Sequence, residues 1–111
     1  MEFKAETVEP GVVSFTETDG GYRSVMVFVS EGDGRKLEGI KAQVTQDGEP
    51  NEEISGLEES MYRPQRGEAS AALKDPSGTP FLLAIEVHNA DGAEATKRFA
   101  IDLLKRAAAK P

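Results

Sequence analysis

Asp-Gly turns punctuate this chain more strongly than any other feature. Asp19-Gly20-Gly21, Gly32-Asp33-Gly34, Asp47-Gly48, Asp75-Pro76-Ser77-Gly78 and Asp91-Gly92 divide it into segments of strand length. Glycine reaches positive φ without steric cost, and Asp bonds the backbone just after itself. Asp-Gly between alternating apolar runs is a strong hairpin signal. The punctuation therefore predicts a mostly β chain.

The segments between the turns carry β patterning. Tyr22 to Ser30 is apolar on both faces at its centre, as in a central strand. Ile40, Ala42 and Val44 alternate with Lys41, Gln43 and Thr45, which reads as a half-buried strand. Ala69, Ala71 and Leu73 form another alternation. Phe81, Leu83, Ile85 and Val87 face one way, with Leu82, Ala84, Glu86 and His88 opposite. Val12 to Thr16 reads as an early strand, and residues 1–11 as an edge strand or arm through Phe3 to Val8.

The C-terminal stretch admits two readings. As a strand to Leu103, it puts Phe99, Ile101 and Leu103 on one face and leaves 104–111 as a short tail, frayed or helical. As a helix, it would be capped by Asp91, with Glu94 completing a capping-box-like pair. The strand is the favoured reading. Residues 46–67 are the least β-like. Glu49, Glu52, Glu53, Glu58 and Glu59 make them acidic, and Pro50, Gly56, Pro64 and Gly67 break them up. They read as a long connection between two sheets, or as a binding loop.

A chain of 111 residues is sized for one domain, burying roughly two-thirds of its unfolded surface. About seven short strands in that length suggest an all-β fold, an immunoglobulin-like two-sheet sandwich. With no Trp, five Phe and two Tyr, the core is mainly aliphatic and stacking on sugars or bases is disfavoured. The absence of Cys removes disulfides and thiolate chemistry. No run approaches the roughly 20 apolar residues of a membrane span. The first twenty residues lack a signal-peptide pattern, so the expectation is a cytoplasmic chain, or a periplasmic or extracellular domain excised from a longer one.

The charge of −7, from 13 basic and 20 acidic residues, disfavours contact with nucleic-acid phosphates. The basic residues are dispersed apart from Lys97-Arg98 and Lys105-Arg106. His88 is the only histidine, so a site built on two histidines is excluded. Neither glycine-rich phosphate-binding motif occurs. The carboxylates lie in turns and the acidic middle, away from the apolar surroundings that tune a catalytic acid. No enzyme and no cofactor is expected. Glu31, Asp33, Asp47, Glu49, Asp75, Asp91 and Glu94 would gather at the ends of a sandwich. Of these, Asp33, Asp47 and Asp91 are the calcium candidates, although turn geometry explains them without a metal. Met61, Tyr62, Arg63 and Arg66, flanked by Glu58 and Glu59, form a candidate protein-binding surface, since Tyr, Met and Arg are enriched at interfaces.

The order of segments also resembles a known group. Val25 to Val29, then Glu31-Gly32-Asp33-Gly34-Arg35-Lys36-Leu37-Glu38-Gly39-Ile40, is similar to the strand, turn and strand of bacterial immunoglobulin-like modules. Pro80 to Asn89, Ala90-Asp91-Gly92 and Lys97 to Leu103 resemble the last hairpin of YtkA-like and FixH-like domains. The resemblance implies the sandwich and a cell-envelope setting, but transfers no binding residue. The resulting expectation is a non-enzymatic protein-interaction or accessory module of a bacterial envelope assembly, with a protein partner. The alternative is an acidic binder or inhibitor that masks a basic site on another macromolecule.

Overall fold

The computed structural model describes residues 3–9, 12–17, 24–57, 59–88 and 92–109. Its elements run β1 (Phe3–Glu9), β2 (Val12–Glu17), β3 (Ser24–Glu31), α1 (Gly34–Gln46), β4 (Ser60–Arg63), β5 (Glu68–Lys74), β6 (Pro80–His88) and α2 (Ala93–Ala109). The six strands form one sheet in the order β1-β2-β3-β6-β5-β4, with every neighbouring pair antiparallel. This is an open-sheet α+β fold, and the expected all-β, two-sheet sandwich is incorrect.

The error has a local cause at each helix. Ile40, Ala42 and Val44 fit a period of two, but Leu37, Ile40 and Val44 also fit a helical stripe. The helix wins because Leu37 and Val44 are buried while Ala42 is exposed. Gly32-Asp33-Gly34 is accordingly a helix start and not a hairpin. The Asp33 carboxylate accepts hydrogen bonds from the Arg35 and Lys36 amides, at 3.0 and 3.3 Å. Such a cap satisfies amides that have no partner within the helix. At the other end Asp47 closes α1, its amide bonding the Gln43 carbonyl, and Gly48 follows at φ 78°.

The second correction is the segment beyond Gly92. It is helical through Ala109, so the favoured strand reading fails and the high helix propensity of its alanines prevails. Ala100 and Leu104 are fully buried at helical spacing.

The helices lie on opposite faces of the sheet. One cluster joins Leu37 and Val44 of α1 to Met61 and Leu82, with Ile40 and Ala72 against it. The other joins Ala100 and Leu104 of α2 to Val25, Tyr62, Ala69, Ala71, Leu83, Ile85 and Val87. Adjacent β6 residues thus serve different helices, Leu82 facing α1 and Leu83 facing α2, which is why this strand is apolar on both sides. Burying a residue such as Leu37 or Leu104 contributes roughly 1.5–3 kcal/mol. Neither cluster includes a described residue of β1 or β2. Strands β4, β5 and β6 therefore carry a helix layer on each face, β3 joins the α2-side core through Val25, and β1 and β2 extend beyond as sheet.

The acidic connection from Asp47 to Glu59 joins α1 to the edge strand β4 of this same sheet; it does not cross between two sheets. Glu52 pairs with the outer edge of β4 through two hydrogen bonds with Tyr62, at 3.0 and 2.7 Å. The buried Ser60 hydroxyl accepts from the Ile54 amide at 3.1 Å and donates to the Leu57 carbonyl at 2.9 Å. These bonds seat Ile54 in the α2-side core.

Candidate functional site

A row of side chains crosses the sheet from β4 to β2. Strand register alone aligns it. Arg63 of β4 lies opposite Glu68 of β5, Glu68 opposite Glu86 of β6, Glu86 opposite Met26 of β3, and Met26 opposite Ser14 of β2. By strand alternation all five share the face that carries α1. The turn Pro64 to Gly67 sets this register. Gly67 takes φ 61°, and its carbonyl accepts the Val87 amide at 3.0 Å.

Arg63 is held on both sides. The Asp47-Gly48 turn after α1 brings Glu49 onto it, with Arg63 Nη2 to Glu49 Oε1 at 2.7 Å and Arg63 Nε bonded to Oε2. This two-pronged geometry is the strong form of an arginine–carboxylate pair. Arg63 Nη1 lies 3.6 Å from Glu68 Oε1, and Arg66 Nε lies 3.7 Å from Glu49 Oε1. On the far side His88 Nε2 is 3.1 Å from Glu86 Oε1.

Among the described residues the charges do not balance. Three carboxylates (Glu49, Glu68 and Glu86) meet two guanidinium groups, Arg63 and Arg66, and Glu49 engages both. The Glu68 and Glu86 side chains are only 14% and 20% exposed. Like charges directly opposite on neighbouring strands repel. Burial pushes the Glu68 carboxyl above the usual glutamate range, Arg63 opposes that rise, and Glu86 adds to it. The Arg63 hydrogen bonds act oppositely on Glu49 and hold its carboxyl below the usual range.

Beside the row the face becomes apolar. Phe28 lies between Ala84 and Val12, one step along from Met26 between Glu86 and Ser14. Met26 and Phe28 are partly buried, and Val12 is nearly fully buried. Acidic and apolar positions therefore adjoin on this face of the sheet.

The residues singled out from the sequence are scattered. Met61 is buried against α1, while Tyr62, its neighbour, is buried on the opposite face beneath α2, with Lys97 5.9 Å from its ring centre. Arg63 belongs to the charged row, and Arg66 is about half exposed at its margin. Glu59 is exposed and sits at the start of α1, its carboxylate against Gly34 where the helix dipole favours a negative charge. Glu58 lies outside the described residues. Strand alternation separates Met61 from Tyr62, so these residues do not share one exposed surface.

Of the calcium candidates, Asp33 and Asp47 cap opposite ends of α1, about 20 Å apart at 1.5 Å per residue. They cannot share an ion, and Asp91 lies outside the described residues. Among the described residues no group of three or more His, Asp or Glu side chains is arranged to hold a metal. No described helix is long and apolar enough to cross a membrane.

Sequence reasoning missed Glu68 altogether and placed Glu49 only as a turn carboxylate. A signal was present, because Glu68-Ser70-Ala72 and Leu82-Ala84-Glu86 each end an otherwise small or apolar strand face with a carboxylate. Reading it requires the register that pairs the two strands. The chain matches no known family, curated protein or solved structure with which it was compared.

Proposed function

We propose that this chain is a non-enzymatic protein-binding domain. Its ligand is a basic, partly apolar segment of another protein, taken up on the sheet face around Met26, Phe28 and Glu86. The observation that carries this reading is the unbalanced carboxylate row. Glu68 and Glu86 are half-buried and directly opposed, beside apolar positions on the same face of the sheet. A lysine or arginine from a partner would relieve their repulsion, while its apolar neighbours would cover Met26 and Phe28. The net charge of −7 would draw such a partner in over longer range.

The reading is tested with a labelled peptide alternating Lys and Leu, its Glu-for-Lys counterpart, and the protein with and without Glu86→Gln. The basic peptide should bind, with affinity falling steeply as salt rises. Glu86→Gln should weaken it by about tenfold, the equivalent of one charge-assisted hydrogen bond. Equal binding of the two peptides, or an unaltered affinity in the variant, would refute the proposal.

A further inference from the structure

We propose that Glu68 is a proton gate for this site, admitting the partner's cation as a carboxylate and releasing it when protonated. The inference rests on the binding reading above and adds its regulation.

The geometry makes Glu68 the group on which the site's charge turns. It stands within the row between a cation and a carboxylate, with Arg63 on one side and Glu86 on the other. Its side chain is only 14% exposed, so water screens its charge poorly. Arg63 is its nearest cation but is fork-bonded to Glu49, a carboxylate that carries Arg66 as well. Glu86, facing it from β6, opposes its ionisation and is itself met by His88. The β3 residue opposite Glu86 is Met26, which brings no charge. Among the described residues the charged or titratable neighbours of Glu68 are therefore Arg63, Arg66, Glu49, Glu86 and, through Glu86, His88. Burial and the facing carboxylate both favour the protonated form.

The consequence follows by linkage. A cation seated between Glu68 and Glu86 stabilises the ionised form, so binding expels a proton whenever Glu68 carries one in the free protein. Affinity should then fall as pH drops through the Glu68 titration, by up to about tenfold per pH unit for one linked proton. His88 also meets Glu86, at 3.1 Å, so its own contribution has to be separated by substitution. Separate variants are needed to divide the two effects.

The experiment combines a carboxyl-carbon NMR titration of the free protein with the affinity of the Lys-Leu peptide from pH 4 to 8. Both are measured for wild type, Glu68→Gln and His88→Gln. Glu68 should titrate above the usual glutamate range. The peptide's affinity should fall on acidification in wild type and in His88→Gln, and fall distinctly less over the same range in Glu68→Gln. If Glu68 titrates in the ordinary range, or if Glu68→Gln retains the wild-type pH dependence, the gate is overturned while the binding site stands. If the peptide fails to bind at any pH, the binding reading falls and the gate with it.

Discussion

Gly67→Ala should damage this fold more than its one added methyl group suggests, because the turn that registers the charged row has no space for it. Gly67 sits at φ 61°, where an L side chain costs roughly 1–2 kcal/mol. A Cβ there would lie 2.8 Å from the Val87 carbonyl oxygen and 2.8 Å from Thr96 Cγ2. The carbonyl cannot easily retreat, since the Val87 amide is bonded to the Gly67 carbonyl at 3.0 Å. Thr96 is tied too, its hydroxyl donating to the Gly92 carbonyl at 2.8 Å. Overpacking of this kind costs roughly 1–3 kcal/mol, so the total loss should be about 2–5 kcal/mol. Urea unfolding followed by circular dichroism measures it, with Gly34→Ala as the control. There the added atom meets only the far end of the exposed Glu59 side chain, which can swing away. That variant should stay within about 0.5 kcal/mol of wild type. A Gly67→Ala protein as stable as Gly34→Ala would refute the turn geometry and the register derived from it.

Three further outcomes follow. Leu37→Ala and Leu104→Ala empty fully buried positions on opposite faces of the sheet, and each should cost about 2–5 kcal/mol by denaturant unfolding. The two costs should add in the double variant, because no side chain is shared between their clusters. Asp33→Ala removes the α1 cap and should cost about 1 kcal/mol in the same assay. Glu68→Gln should be more stable than wild type at neutral pH. The native protein binds the Glu68 proton more tightly than the unfolded chain, so this residue's contribution to stability is fully present below the unfolded titration. It is lost as pH rises through the folded one. The gap between variant and wild type should close on acidification, which unfolding curves at a series of pH values will show.

The strands were largely legible in the sequence because β structure here depends on short-range alternation and turn chemistry. Tyr22 to Ser30, Phe81 to Val87, Ala69 to Leu73 and Val12 to Thr16 all fall within or overlap strands, and Asp75 to Gly78 closes the β5–β6 hairpin. The helices were not, because the same Asp-Gly signal that marks a hairpin also caps a helix. At Asp33 the choice rests on whether Leu37 and Val44 find partners, and those partners are Met61 and Leu82, far along the chain. The misreading of α1 and α2 as strands converted a single sheet with a helix on each face into two sheets. For the site, Glu86 and His88 were placed correctly on the second face of their strand. Their relation to Glu68 and Arg63 depends on long-range register, which no local pattern encodes.

If the face around Met26, Phe28 and Glu86 takes up a basic segment, titrating the Lys-Leu peptide into the isotope-labelled protein will move a defined set of amide resonances. Shifts should concentrate at Met26, Phe28, Ala84, Glu86 and Glu68, leave α2 unaffected, and vanish at high salt. Shifts confined to the α2 face, or none at saturating peptide, would contradict uptake at that face.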